Sequence, residues 1–400
     1  MKIAKPESMG LSTERLNRID DMFRKFIDNK EIAGISAIIS RKDHIVYRKN
    51  FGFADMKKKV KIKDDTIFRI YSMSKPVTVT AALILFERGL YSMNDPISKY
   101  IPSFAEPKVL TGFDGGKPLT RAAKSEITIR HLFTMTSGLS YGFEEEGLDK
   151  YYEEQLDKYG KDNPKFSLEE FTDLLAGFPL ASDPGTEYRY SFSIDVLGRL
   201  IEILSGKQLS QFFKDEIFKP LNMPDTGFFV ASGKKDRLSC LYEWNGKELT
   251  LTKDKDFGVF TRKPHFEMGG GGLVSTIDDY TRFSQMLLHK GELDDVRILG
   301  RKTVEFMSAN HLQADILKNF TENEARGYGY GLGVRVMMDP ANAGMNGSVR
   351  EWGWSGMAGT WMCIDPEEEL TAVFMIQLVP YGISPVAAYF QQMMYSALID

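Results

Sequence analysis

The sequence predicts an α/β (α+β) protein: an antiparallel β-sheet flanked by helices, joined to a second, mainly helical lobe. Three observations predict it. The chain opens helix–strand–strand and closes strand–strand–helix, so both ends suit one sheet. The stretch between them alternates helical periodicity with long polar loops. At 400 residues the chain also exceeds one ordinary domain. The expected division is residues 1–75 with 240–400 as the sheet unit and residues 76–239 as the helical unit. A cleft between the two is a favoured place for a site.

The elements follow in order. Ser12 is placed to cap a helix whose Leu16, Ile19, Met22, Phe23, Phe26 and Ile27 recur at helical spacing, ending near Asn29. "GISAIIS" and "HIVYRKNFGFAD", split by "RKD", read as a hairpin. An apolar helix then runs to about Gly89. "ITIRHLFTMTSG" and "SFSIDVLGRLIEILSG" read as helices stopped by glycine. The charged, tyrosine-rich stretch 142–165 reads as a surface excursion, and "MGGGG" at 268–272 as a flexible break before a capped helix. "YGLGVRVMM", "GTWMCID" and "LTAVFMIQL" read as strands, with "DPEEE" as a turn between the last two. A helix at about Ser384 to Leu398 closes the chain.

Composition narrows the function. Apolar residues make up 42% and charged residues 26%, as in a globular chain. A net charge of −4 supplies no basic field for phosphate backbones, which argues against nucleic acid as a partner. Cys240 and Cys363 are too few and too far apart for a disulfide framework or a cysteine-built metal site. Both read as small buried hydrophobes. The first twenty residues lack a signal-like apolar core, and the run Val77–Phe86 is too short to span a bilayer. The expectation is a soluble cytoplasmic protein, with a homodimer left open.

Chemistry enters at "FRIYSMSKPVTVTAALILFERG". Ser72 stands where the apolar helix begins, with Lys75 three residues on and on the same face. Pro76 suits only a first turn and so fixes the helix start near Ser72–Ser74. A helix N-terminus favours a developing oxyanion, and burial favours a neutral amine able to act as base. Ser-x-x-Lys is a short motif, and Ser232–Lys235 repeats it in a polar stretch with nothing apolar beside it. The Ser72 stretch alone does not separate an activated pair from a serine cap beside a solvent-facing lysine. A competing Gly-x-Ser-x-Gly, "GLSYG", centres on Ser140. That motif needs a strand before it, a helix after it and a histidine to complete a triad; the residues before it read as helix, charged residues follow, and none of the five histidines sits in an evident turn beside an acid.

The stretch "FRIYSMSKPVTVTAALILFERGLYSMNDPISKYIPSF" resembles the serine β-lactamase and penicillin-binding-protein superfamily, in its class C-like branch. "ITIRHLFTMTSGLSYG", "PGTEYRYSFSIDVLGRLIEILSG", "KPLNMPDTGF", "MGGGGLVSTIDDYTRF" and "GWSGMAGTWMCIDPEEELTAVFM" resemble further family segments in family order, from about Gly34 to Gln377. The resemblance implies a class C β-lactamase-like fold. It makes Ser72 the acylated nucleophile, Lys75 its proton acceptor and Tyr190 a second base, a role that a neighbouring cation such as Lys75 would favour. It puts the oxyanion hole at the backbone N–H groups of Ser72 and Met357, and assigns no role to Ser140.

Two departures bear on substrate. Where the family usually has Lys-Thr-Gly or His-Thr-Gly, this chain has Trp354-Ser355-Gly356, which replaces a cation by an apolar wall. Where an asparagine usually follows the tyrosine by two, it has Phe192. Both remove polar partners for a β-lactam or peptide, at a cost on the order of 1–3 kcal/mol for each group left unpaired. Arg350 and Glu351 read as an exposed pair that could supply replacement charge. The pattern resembles family VIII carboxylesterases. The expectation is a serine esterase acting on small neutral esters, with Phe192, Trp354, Ser355 and Gly356 lining the substrate site and with no metal or cofactor. The rivals are a β-lactamase or D-amino-acid peptidase of the same fold, and a non-catalytic ligand-binding relative.

Overall fold

The structure, a computed structural model, describes residues 2–253, 260–323 and 325–400. Its principal sheet is built from both chain ends. The strands are β1 (Lys2–Ile3), β2 (Gly34–Arg41), β3 (His44–Asp55), β4 (Tyr328–Tyr330), β5 (Arg335–Met337), β6 (Trp352–Ser355), β7 (Trp361–Asp365) and β8 (Leu370–Met375). Their order across the sheet is β1-β3-β2-β8-β7-β6-β5-β4, with the short strand Val60–Lys61 paired to β3. Every neighbouring pair is antiparallel except β1 with β3.

Helices cover both faces, which explains the unbroken burial of β2 and β8. One face carries α1 (Thr13–Asp28) and α5 (Val386–Ser396). Ser12 caps α1 by accepting from the Arg15 N–H, and Phe23 inserts among Phe51, Phe374 and Phe390. Truncating such a core aromatic to alanine costs about 3–5 kcal/mol. The opposite face carries α4 (Ile277–Leu288), capped by Thr276, whose Tyr280, Phe283 and Met286 join the core containing Ile38, Met362 and Val373. The helix α2 (Ser74–Glu87) is buried on all sides from Ser74 to Leu85, so it carries no amphipathic stripe. It packs against α3 (Ser193–Ser205).

Four segments differ from the sequence reading. "YGLGVRVMM" is not one strand: it begins on the last residue of β4, turns at 331–334 and returns as the antiparallel β5. The helical region contains an exposed hairpin, Lys108–Asp114 with Lys117–Ala122, turning at Gly115-Gly116. That glycine pair is a recognised hairpin signal, masked here by the polar flanks. Stretch 142–165 is not a mere surface excursion: it holds the helix Gly147–Asp162, which buries Leu148, Asp149 and Tyr152. "MGGGG" is a tight turn, buried at Gly269 and Gly270, rather than a flexible break. Cys363 is buried as expected, while Cys240 is half-buried. No helix among the described residues is long and apolar enough to cross a membrane.

Candidate active site

A short antiparallel pair, Ile67–Arg69 with Val274–Thr276, leads the chain into the site. Tyr71 follows with φ of +41°, a conformation that side-chain-bearing residues rarely hold and that clusters at functional positions. Ser72 lies in the 3-10 turn Tyr71–Met73 directly before α2, where the sequence places it. The turn leaves Ser72 half-buried and facing a cavity, while Lys75 is buried in the first turn of α2.

Lys75 Nζ donates to Ser72 Oγ at 3.1 Å and to the Gly270 carbonyl at 2.7 Å. The second contact explains the glycine run. Three residues of α2 hold that turn: besides Lys75, Thr78 Oγ1 donates to the Gly269 carbonyl at 2.6 Å and Ser74 Oγ accepts from the Leu273 N–H at 3.0 Å. A Cβ on residue 270 would fall 2.7 Å from Asp195 Oδ2 and 2.8 Å from the Tyr141 hydroxyl, so only glycine fits. Asp195, fully buried in the first turn of α3, accepts from the Gly270 N–H at 2.9 Å through Oδ1. Burial pushes its carboxyl up to about 6, opposed by that N–H and by Lys75. Sequence reasoning missed Gly270 and Asp195; the glycine run beside a buried helix was the available signal.

Tyr190 stands against the same lysine, with Lys75 Nζ 4.6 Å from its ring centroid. The Tyr190 hydroxyl accepts from Trp354 Nε1 at 3.4 Å. Trp354 therefore braces the phenol in addition to forming a wall, and it packs edge-on against Tyr330. Tyr141, also missed, lies between Tyr190 and Phe192 with ring centroids 5.2 and 4.4 Å away. Burial holds its hydroxyl well above the usual tyrosine range.

The end of β6 closes the site. Gly356 passes so near the Ser72 turn that a Cβ there would lie 2.3 Å from the Ile70 carbonyl oxygen. Ser72 and Met357 thus line one cavity, together with Phe192, Trp354, Ser355 and Gly356. Its volume is about 1340 Å³, and Glu243 and Arg335 are the charged side chains on its wall among the described residues. Ser355 Oγ shares a hydrogen bond with the exposed Tyr381 hydroxyl at 2.9 Å.

The other candidates lie elsewhere. Ser140 is buried and hydrogen-bonds Asp149, while Arg189 Nε donates to its Oγ at 2.9 Å. Arg189 also bridges Asp149 at 2.6 Å, so this serine belongs to a structural ion-pair network. Ser232 is exposed in a 3-10 turn. The expectation of an exposed Arg350–Glu351 pair is corrected: Arg350 is exposed, but Glu351 is fully buried, 3.3 Å from Arg335 on the adjacent strand. No group of three or more His, Cys, Asp or Glu side chains among the described residues could hold a metal ion.

Comparison with known proteins agrees with this geometry. The family model described as Beta-lactamase matches residues 19–391. Protein Rv1367c of Mycobacterium tuberculosis is 33% identical over 89% of this chain and 88% of its own length. Esterase EstB of Burkholderia gladioli is 29% identical over 92% and 91%. The solved structure of EstCE1, a hydrolase with promiscuous acyltransferase activity, superposes with a TM-score of 0.80 at 27% identity, covering 96% of this chain and 98% of that one. The chain belongs to the Beta-lactamase family, within the serine β-lactamase and penicillin-binding-protein superfamily.

Proposed function

We propose that the protein is a carboxylesterase that cleaves small esters through an acyl-enzyme on Ser72. The observation that carries this reading is the Ser72–Lys75 contact at 3.1 Å on the wall of an aromatic cavity. In the neutral form, Lys75 keeps an N–H on the Gly270 carbonyl and turns its lone pair to the Ser72 hydroxyl. Ser72 Oγ attacks the ester carbonyl as its proton passes to Lys75. The backbone N–H groups of Ser72 and Met357 receive the tetrahedral oxyanion. Tyr190, braced by Trp354, stands beside Lys75 to relay the proton to the departing alcohol. Water then enters by the same route in reverse, and the acid leaves.

A second reading, acyl transfer to an alcohol, is favoured by the cavity's size. At about 1340 Å³ it exceeds the roughly 300–1,000 Å³ of ordinary ligand pockets, leaving room for an acceptor beside the acyl group. The comparison with EstCE1 supports the same class.

Turnover of nitrophenyl butyrate and nitrocefin tests the reading. Ester hydrolysis should exceed nitrocefin hydrolysis by orders of magnitude, and Ser72→Ala should abolish it. Comparable nitrocefin turnover would favour the β-lactamase alternative. Full ester activity in Ser72→Ala would reject the assignment.

A further inference from the structure

The Gly-x-Ser-x-Gly motif around Ser140 takes no part in the proposed reaction, yet a buried ion pair holds it in place. Asp149 Oδ1 meets Ser140 and Arg189, while its Oδ2 accepts from the N–H groups of Phe143 at 3.0 Å and Glu144 at 3.3 Å. Gly142 lies between, with φ of +84°, and a Cβ there would fall 2.9 Å from the Asp149 carbonyl oxygen. The turn therefore requires glycine. The motif is a clamp on the loop that follows it.

The clamped segment carries two aromatic side chains. Tyr141 turns inward: its ring centroid lies 5.2 Å from that of Tyr190 and 4.4 Å from that of Phe192, with Lys75 Nζ 5.2 Å away. Phe143 stacks on Tyr141 at 4.8 Å with the ring planes 15° apart, and it is 69% exposed. Both residues line the cavity. A lone exposed phenylalanine is ordinary on a surface. This one is the outer end of an aromatic row that begins beside Lys75 and runs along the cavity wall. Tyr381 is the other exposed aromatic residue of that wall among the described residues. Apolar surface left open at the end of such a row gains from being covered, and an alkyl or aryl group supplies the cover.

We propose that Phe143 is a specificity-determining residue, the outer end of a subsite for an extended alkyl or aryl arm of the ester. The proposal rests on the Ser72 esterase reading and names the class of ester that the cavity prefers. Tyr141 holds the inner part of the arm and Phe143 the outer part. The Asp149 clamp stacks the two rings before any substrate arrives, so binding has little ordering left to impose. The acyl chain and the alcohol are the two sources of such an arm, and the experiment separates them.

Titration of released acid from ethyl butyrate, ethyl octanoate and octyl butyrate gives two kcat/KM ratios, one for a longer acyl chain and one for a longer alcohol. In Phe143→Ala at least one long-to-short ratio should fall about tenfold, the effect of uncovering on the order of 60 Å² of apolar surface. The ratio that falls identifies the arm, and Phe143→Leu should restore most of it. Phe143 is exposed, so its truncation spares the fold. Calorimetry with octanoate and octan-1-ol, the two product halves, reads the subsite without turnover and so stands apart from the Ser72 assignment. At least one of them should bind Phe143→Ala about tenfold more weakly than wild type. Ratios and affinities that stay within twofold in Phe143→Ala, or a loss that Phe143→Leu leaves unrestored, would overturn the proposal.

Discussion

Ser72 and Ser140 both sit in short stretches that resemble hydrolase motifs, and their surroundings could hardly differ more. Ser140 is enclosed by Asp149 and Arg189, both ionic, and has no open space before it. Ser72 bonds one lysine and otherwise faces the cavity. A salt-bridge network encloses the first hydroxyl, while the second touches one buried amine and otherwise opens on the cavity. A serine motif becomes a site through what its oxygen faces, and that is a property of the fold.

The comparison can be broken most forcefully at Lys75. Lys75→Met removes the proposed base while keeping an unbranched side chain, and should lower kcat by roughly 10²–10⁴ with a small change in KM. Steady-state kinetics on a nitrophenyl ester check this. An unaltered kcat would place proton transfer elsewhere.

Asp195 sharpens the comparison by its pH dependence. Its folded-state pKa, about 6, lies above the usual 3.8, so the folded state holds the proton more tightly than the unfolded chain. Stability contributed by this group is full below pH 3.8 and falls as pH rises through about 6. The penalty reaches about 3 kcal/mol. In Asp195→Asn the amide oxygen would still accept from the Gly270 N–H, and the side chain would never ionise. The stability difference between wild type and Asp195→Asn should therefore grow in favour of the variant between about pH 4 and 6, then level, as read by urea unfolding across that range.

The smallest effect on activity is expected at Ser140. Ser140→Ala leaves Asp149 and Arg189 without a shared partner, and should cost about 1–3 kcal/mol of stability. The kcat should stay within about twofold, since no reacting atom is touched. Thermal unfolding paired with an ester assay separates the two readouts.

The same contrast explains what was legible in the sequence. The Ser12 cap, the hairpin of β2 and β3, the start of α2 and the Ser72–Lys75 pair rest on neighbours within a few residues, and local pattern reveals them. Gly270 lies 195 residues from Lys75, and Asp195 lies 75 residues from Gly270. No periodicity encodes such meetings, so a glycine turn held by side chains of α2 and α3 reads as a break. Glu351 reads as exposed because its partner, Arg335, reaches it from the next strand of the sheet. The place of Tyr190 came from family order, and the lysine between it and Ser72 accounts for that position physically.

The most direct measurement is peptide mapping by mass spectrometry after reaction with a fluorophosphonate probe. The account predicts one adduct, on the peptide containing Ser72, which disappears in Ser72→Ala and persists in Ser140→Ala. An adduct on Ser140, or labelling that survives Ser72→Ala, would contradict it.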